Sequence, residues 1–310
     1  MNGIERLRAN ARKVQHGRDA AYVYAAVSFL ESVDACEEFT HAPVGAAGDG
    51  SRKTAVAVRG RATAGDDWSF GDYHTLAQWR AAMLAGDKAG AERVARFQTA
   101  ISAALSAPVG VRRKVRKGPQ GDEVCPHAIL RGDLPRAWTS RRRETGRAPA
   151  PVVILVPMTS NAGADAESFN YRAAAALALA GPLQRAGYKV SVLAADCVRG
   201  SYTASGAPRL TAVFHRVASG ANLDIPRVTA ALSAAHLRFV TFCVIASAPW
   251  NCHSNLGHAN DEVGDYVALA LASGMVRAGE EVLTIPAQLR DEGSARRWLG
   301  EVSARYGKQA

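Results

Sequence analysis

The most reactive side chains of the sequence lie close together, just after an apolar run. Cys252, His253, His258 and Asp261 fall within ten residues. A thiolate and two imidazoles can bind a soft transition metal, and a thiolate beside an imidazole can act as a nucleophile. However, no second Cys or His pair at ligand spacing completes a set of four ligands. We therefore treat Cys252, His253 and His258 as an alternative metal or catalytic site, secondary to a binding function.

Other catalytic motifs are absent from the sequence. It contains no phosphate-binding loop, no Gly-x-Ser-x-Gly elbow, no zinc-protease helix and no Gly-x-Gly-x-x-Gly after a predicted strand. We therefore expect a protein that is not an enzyme and that uses no cofactor.

A short basic segment holds most of the net positive charge. The chain has a formal net charge of +10, and residues 101–150 contribute +7 of it. The basic residues form two clusters: Arg112, Arg113, Lys114, Arg116 and Lys117 are the first, and Arg141, Arg142, Arg143 and Arg147 are the second. Such clusters attract phosphate by releasing counterions. The segment indicates nucleic acid as an alternative partner, although the same charges would also suit a solvated face that keeps the protein soluble.

Composition predicts a protein that is neither exported nor embedded in a membrane. The first twenty residues are basic and contain no apolar run, unlike a secretory signal. The longest apolar stretches fall short of the roughly 18 to 20 residues that a membrane-spanning helix needs. Five cysteines without a close pair fit a reducing compartment. We expect a cytoplasmic location.

The N-terminal half shows mixed helical and strand patterns. Apolar spacing predicts helices over residues 4–14, 73–84 and 88–105, and alternation predicts a strand over residues 54–58. A turn at residues 118–121 between two strand-like runs, 109–117 and 123–130, predicts a strongly basic β-hairpin. The Pro-rich connection near residues 147–151 then separates an α+β region, residues 1–147, from a second domain, residues 151–310.

The second half alternates between predicted strands and helices. The strands are expected at residues 152–156, 189–195, 210–217, 238–246 and 282–285, and the helices at 166–186, 224–236, 261–278 and 294–306. This alternation is typical of a doubly wound, mostly parallel α/β sheet. The connection into residues 210–217 is too short for a helical crossover. That strand is therefore expected to be antiparallel and to lie at the edge of the sheet.

This order of elements resembles that of the von Willebrand factor A-like domain. The passage PVVILVPMTSNAG, followed by RAAAALALAGPLQRAGYKVSVLAADC, is similar to the opening of that domain, where a strand leads to a metal-binding turn. The passage WSFGDYHTLAQWRAAMLAGD, together with the C-terminal half, also resembles a phage-encoded family of unknown function. These resemblances imply a Rossmann-type platform for protein contacts, a phage or mobile-element source, and a place in the host cytoplasm or the virion.

The resemblance also implies a magnesium site that this sequence has lost. A typical domain of that class uses an Asp-x-Ser-x-Ser turn after its first strand and an Asp after a later strand. Here Pro157 and Ser247 stand at the two acidic positions, while Thr159 and Asn161 retain neutral oxygen atoms. Carboxylates supply most of the affinity for hard cations, so we expect a degenerate site without a metal.

Polar residues at the ends of the predicted strands define the expected binding surface. Loops that follow the strands of an open α/β sheet meet at one edge, where ligands bind. The residues expected there are Thr159, Ser160, Asn161, Asp196, Asn222, Ser247, Trp250 and Asn251. A polar rim around an exposed Trp suits a protein partner. The sequence therefore predicts a non-enzymatic interaction or adaptor protein.

Overall fold

A computed structural model shows a six-stranded sheet flanked by helices, and a separate three-stranded sheet. It describes residues 9, 11–16, 19–26, 76–102, 113–120, 123–143, 150–159, 166–185, 188–199, 210–220, 223–241, 244 and 263–307. The strand predicted at residues 54–58 lies outside these ranges.

Most of the described residues belong to strands and helices. The strands are β1 Ala11–His16, β2 Asp19–Ala26, β3 Arg113–Gly118, β4 Glu123–Val124, β5 Trp138–Arg143, β6 Val152–Pro157, β7 Val190–Arg199, β8 Leu210–Gly220 and β9 Glu281–Thr284. The helices are α1 Leu76–Ala85, α2 Lys88–Ser102, α3 Pro126–Leu130, α4 Ala166–Arg185, α5 Ile225–Ala231, α6 Ala234–His236, α7 Val263–Ala272 and α8 Glu292–Gly307. A 3-10 turn covers Leu134–Arg136, and a π-helical turn covers Leu237–Thr241.

The large sheet has the strand order β1-β2-β8-β7-β6-β9. Strand β6 is parallel to both β7 and β9, and β2 is parallel to β8, whereas β1 and β2 are antiparallel. The prediction of a mixed α/β fold with a mostly parallel sheet and an antiparallel edge strand is confirmed at this level. Strand β8 is antiparallel to β7, as predicted. It is not at the edge, however, because β2 pairs with its other side and the antiparallel edge strand is β1.

Segments from both sides of the predicted boundary at residues 147–151 contribute to this sheet. Strands β1 and β2 belong to the N-terminal half, yet β2 pairs with β8 from the second half. The helix predicted over residues 4–14 is wrong for its described C-terminal part, because residues 11–16 form β1. His16 pairs with Asp19, so only two residues separate β1 from β2. The backbone of β1 pairs with β2, which pairs in turn with β8 from the second half, and local periodicity does not detect that distant pairing.

The strand predicted at residues 238–246 is also wrong where it is described. Residues Leu237–Thr241 form a π-helical turn that continues from α6. Strand β9 pairs directly with β6, and residues 237–241 are not part of the sheet. A continuous apolar run suits a buried helix as well as a buried strand, and here Val240 and Thr241 are buried in helical structure.

Strand β6 lies between two apolar layers. Its Val152, Ile154 and Val156 belong to a core cluster that includes side chains of α2, α4, α5 and α8. Val153 and Leu155 belong to the cluster on the opposite side, which includes side chains of α7. Because successive side chains of a strand point to opposite faces, the unbroken apolar run of β6 is what burial on both faces requires.

The N-terminal helices α1 and α2 pack against α5. Gly86 ends α1 with a φ of +84°, and a Cβ at this position would lie 2.8 Å from Cβ of Pro226. The next residue, Asp87, caps α2 by accepting a hydrogen bond from the N–H of Gly90 at 2.8 Å. The indole N–H of Trp79 donates to the carbonyl oxygen of Ala230 at 3.0 Å. These contacts hold the helix pair against the large sheet's helical layer.

The small sheet differs from the predicted hairpin. Its strand order is β3-β5-β4, so β3 and β4 each pair with β5 and not with each other. Most of the second predicted strand, residues 123–130, forms the short helix α3, with Pro126 at its first turn. The two basic clusters therefore lie on neighbouring antiparallel strands.

Candidate functional site

Thr159 is the centre of a buried polar cluster beyond the end of β6. Its hydroxyl group donates to Oδ1 of Asp196 at 2.5 Å and accepts from the backbone N–H of Cys197 at 3.1 Å. The same hydroxyl lies 2.6 Å from the phenol oxygen of Tyr266. The side chains of Thr159, Asp196 and Tyr266 are all buried. Strand β7, which pairs with β6, and helix α7, which packs on one face of the sheet, thus meet at one hydroxyl group.

The hydrogen-bonding capacity of the Thr159 hydroxyl is fully used. A hydroxyl group has one proton to donate and two lone pairs to accept with. Since its proton goes to the Asp196 carboxylate, the phenol of Tyr266 must be the donor in their contact, and the N–H of Cys197 takes the remaining lone pair. A cation could bind this oxygen only by displacing one of these partners.

Asp196 is poorly suited to carry a negative charge in this cluster. Burial raises the pKa of its carboxyl group from 3.8 to about 6, although the hydrogen bonds with Thr159 and the backbone of Cys197 lower it. Its Oδ2 atom is buried and has no hydrogen-bond partner among the residues that the structure describes. Burial also raises the pKa of the Tyr266 phenol, and nearby Cys197 and Asp196 raise it further.

Arg172 brings a buried positive charge to the same end of β6. Its Nη1 donates to the carbonyl oxygens of Pro157 at 2.9 Å and Thr159 at 3.1 Å. Its guanidinium group also lies over the ring of Phe169, 5.1 Å from the centroid. The Arg172 side chain from the Ala-rich helix α4 thus fixes the backbone of the turn that follows β6.

Only part of the predicted edge surface falls within the described residues. Thr159 and Asp196 lie together, as expected for neighbouring strands, but both are buried and cannot by themselves contact a partner. The remaining predicted contacts lie outside the described residues: Ser160, Asn161, Asn222, Ser247, Trp250 and Asn251. The same holds for the alternative metal or catalytic residues Cys252, His253 and His258. The roles of all these residues stay predictions.

A second buried polar group was missed by the sequence analysis. His215 of β8 and His236 of α6 lie edge to face with ring centroids 4.9 Å apart, and Trp79 of α1 stacks on His236 at 6.0 Å. Burial lowers the pKa of His215 from 6.5 to about 3. Burial also lowers the pKa of His236, and the neighbouring His215 lowers it further. Both histidines occur in largely apolar runs, which is the only sequence signal that could have identified them.

The two predicted basic clusters are brought together in the small sheet. The register places Arg113 opposite Arg143, Lys114 opposite Arg142, Val115 opposite Arg141 and Arg116 opposite Ser140, with Lys117 opposite Thr139. Arg112 and Arg147 lie outside the described residues. Like charges directly opposite each other destabilise an antiparallel pair, and such pair energies are about 0.2–1 kcal/mol. The sequence revealed both clusters but not that they pair.

Exposed apolar side chains adjoin the basic strands. Among the described residues, eight large apolar side chains are exposed, and five of these lie between residues 124 and 138. The five are Val124, Ile129, Leu130, Leu134 and Trp138. Leu130 is 82% exposed, so it contributes nothing to the core. Most of the large apolar side chains that are exposed in the described residues thus lie in the segment that contains the small sheet.

Trp138 begins β5, the central strand of the small sheet. It lies opposite Gly118 of β3 on one side and Val124 of β4 on the other. Among the described residues, a Cβ placed on Gly118 would have only the carbonyl oxygen of Gln120 within 4 Å, at 3.7 Å. No described side chain therefore fills the β3 side of the surface beside Trp138, and the Trp138 side chain is 38% exposed.

Within the described part of the chain, no helix combines the length and apolar character needed to cross a membrane. The same residues contain no group of three or more His, Cys, Asp or Glu side chains arranged to hold a metal ion.

Comparison with known proteins yields one match. A family model described as Domain of unknown function (DUF7192) matches residues 16–296, which is most of the chain. No curated protein and no solved structure matches the chain significantly.

Proposed function

The chain belongs to the DUF7192 family, and we propose that it is a non-enzymatic interaction protein that binds a partner rich in negative charge. The large sheet acts as the scaffold, and the small sheet β3-β5-β4 provides the contact surface. The von Willebrand factor A-like platform without a complete metal site is part of this proposal. So is the phage or mobile-element source that the sequence resemblance implies.

The register of like charges in the small sheet is the observation that supports the proposal. Residues 113–143 contain nine Lys and Arg but only three Asp and Glu. Two of the cross-strand pairs, Arg113 with Arg143 and Lys114 with Arg142, set like charges directly opposite each other. Their repulsion opposes folding of the sheet, and a bound polyanion would relieve it. Binding to the folded sheet would therefore stabilise it.

The contact surface differs from the one expected at the edge of the large sheet. Thr159 and Asp196 are buried and bonded to each other, so we assign them to positioning the ends of β6 and β7. A partner contacts exposed atoms, and among the described residues the small sheet has exposed side chains next to a concentration of positive charge. The other residues predicted at the edge, including Trp250, stay a proposed second contact with a protein.

Binding to heparin, a polyanion without bases, tests the proposal. We expect binding that weakens steeply with salt and that raises the melting temperature. The double variant Arg113→Glu/Lys114→Glu should bind much more weakly while its small sheet stays folded, because it replaces like-charge pairs by opposite ones.

The matched control is Lys88→Glu/Arg96→Glu, which makes the same change in net charge on exposed positions of α2. It should retain most of the binding. Equal weakening by both double variants would mean that net charge alone drives the interaction. No binding at low salt would remove the proposal.

A further inference from the structure

We infer that the negatively charged partner is a single-stranded nucleic acid, with a base packed against Trp138 and the phosphates along β3 and β5. This inference rests on the proposed function and names its ligand. It combines three observations on the small sheet: the position of Trp138, the open surface at Gly118 and the register of the basic residues.

Trp138 stands where a base could stack. It begins the central strand, so sheet surface extends on both sides of it, and its side chain is partly exposed. Gly118 lies directly opposite and has no side chain to cover the space beside the indole. Small sheets with aromatic residues on central strands bind unpaired bases by stacking. Stacking on one aromatic side chain contributes about 5- to 150-fold in affinity.

The basic residues lie on the same strand pair as Trp138. Strand β5 runs from Trp138 to Arg143, a distance of roughly 17–20 Å for a six-residue strand. The aromatic residue is at its start and the basic residues are at its end. Because successive positions of a strand belong to opposite faces, Arg142 shares the face position of Trp138, and Lys114 and Arg116 hold the matching positions on β3. A short extended strand could therefore place one base at Trp138 and later phosphates at the basic end. A duplex would hide the faces of its bases, so it could use only the charges.

Other polyanions fit these observations less well. Heparin would engage the charges but has no base to fill the space at Gly118. An acidic protein would be expected to dock on the aliphatic side chains Ile129, Leu130 and Leu134. The nucleic-acid inference requires Trp138 and not Leu130, which makes the two partners distinguishable by single substitutions.

Fluorescence anisotropy with labelled oligothymidylate and oligouridylate of about 12 nucleotides, within the range of known single-strand site sizes, measures the interaction. We expect both single strands to bind more tightly than a duplex of equal length, and the preferred one identifies DNA or RNA. Trp138→Ala should weaken binding about 5- to 150-fold, with little change in the salt slope of about 0.7 per contacted phosphate.

Three further variants separate stacking from loss of structure. Trp138→Phe keeps an aromatic face and should retain most of the affinity, whereas Gly118→Val fills the space beside the ring and should weaken single-strand binding. Leu130→Ser should leave it unchanged. Heparin binding should be the same for Trp138→Ala and the unmodified chain, which shows that the basic sheet is intact.

The outcomes distinguish this inference from the proposed function. Binding to neither heparin nor oligonucleotides would overturn both. If the chain binds heparin but binds a duplex as tightly as single strands or more tightly, only the inference is overturned. The inference is also overturned if Trp138→Ala changes the affinity for single strands less than twofold. Loss of single-strand affinity in Leu130→Ser but not in Trp138→Ala would likewise overturn the inference, because it would place the contact at the aliphatic side chains and not at Trp138.

Discussion

Replacing Asp196 by Asn should remove a pH dependence of stability that the buried carboxyl group creates. Burial raises the pKa of this group from 3.8 to about 6. An acid whose pKa is higher in the folded state binds its proton more tightly there. Its contribution to stability is therefore greatest below the unfolded pKa, declines as the pH rises and is lost above about pH 6. The asparagine side chain has no such titration.

The size of the effect follows from the pKa change. One pKa unit corresponds to about 1.4 kcal/mol, so the rise from 3.8 to about 6 amounts to about 3 kcal/mol over the full range. Roughly 2 kcal/mol of this falls between about pH 4.5 and pH 7.5. The substitution also places an amide N–H₂ group near the position of Oδ2, which lacks a partner in the described residues. That cost is independent of pH and cancels when the two pH values are compared.

Urea unfolding at several pH values provides the assay. The free energy of unfolding of Asp196→Asn, relative to the unmodified chain, should rise by about 2 kcal/mol from about pH 4.5 to pH 7.5. The exposed change Glu301→Gln serves as the control and should shift the curve by a nearly constant amount. A relative stability of Asp196→Asn that stays the same at both pH values would refute the account of this cluster.

Three further predictions concern the buried histidines, the contact of Trp79 and the turn at Thr159. Burial lowers the pKa of His215 to about 3, so between about pH 6.5 and pH 3 this histidine is protonated in the unfolded chain and not in the folded one. The unmodified chain should therefore lose about 2 kcal/mol of stability through this group between about pH 7 and pH 5, and His215→Leu should abolish that loss in urea unfolding. Trp79→Phe removes the indole donor to the carbonyl of Ala230, which still accepts from the hydroxyl group of Ser233. It should therefore lower the free energy of unfolding by about 0.5–1.5 kcal/mol, the contribution of one hydrogen bond, and an unchanged value would contradict this role. Millimolar magnesium should leave the melting temperature unchanged because the Thr159 hydroxyl is fully used, and a rise of several degrees would contradict this.

The elements that could be predicted from the sequence are those whose signals are local. Strand β6 was recognisable because burial on both faces demands an unbroken apolar run. Helix α4 followed from its Ala-rich composition, and the N-cap of α5 from Asp224, whose side chain accepts from the N–H of Arg227. In each case a short stretch of chain contains the physical cause of its own structure.

The elements that were predicted wrongly depend on distant partners. Strand β1 has helical spacing of apolar residues, but its backbone pairs with β2, which in turn pairs with β8. The run after α6 is apolar enough for a strand, yet β9 already occupies the place beside β6. Which strand takes a given position in the sheet depends on residues far apart in sequence, so a short stretch of sequence cannot predict it.

The candidate site shows the same division. Thr159 and Asp196 were expected to meet because they follow neighbouring parallel strands. Their burial was not foreseeable, since it depends on Tyr266 and Arg172 from two helices on different sides of the sheet. In the small sheet the charges were evident, but only the register revealed that they oppose each other.

Stability and binding should be separable in this protein because their determinants lie in different parts of it. The buried cluster around Thr159 links β6, β7 and α7, whereas much of the net positive charge comes from the small sheet, in which residues 113–143 contribute +6 of the chain's +10. Asp196→Asn should therefore change the pH dependence of unfolding without altering the affinity for heparin. Arg113→Glu/Lys114→Glu should lower the affinity for heparin while the pH dependence that Asp196 creates stays in place. A substitution at either place that changed both properties together would show that the large sheet and the small sheet are energetically coupled, and that the large sheet is more than a scaffold.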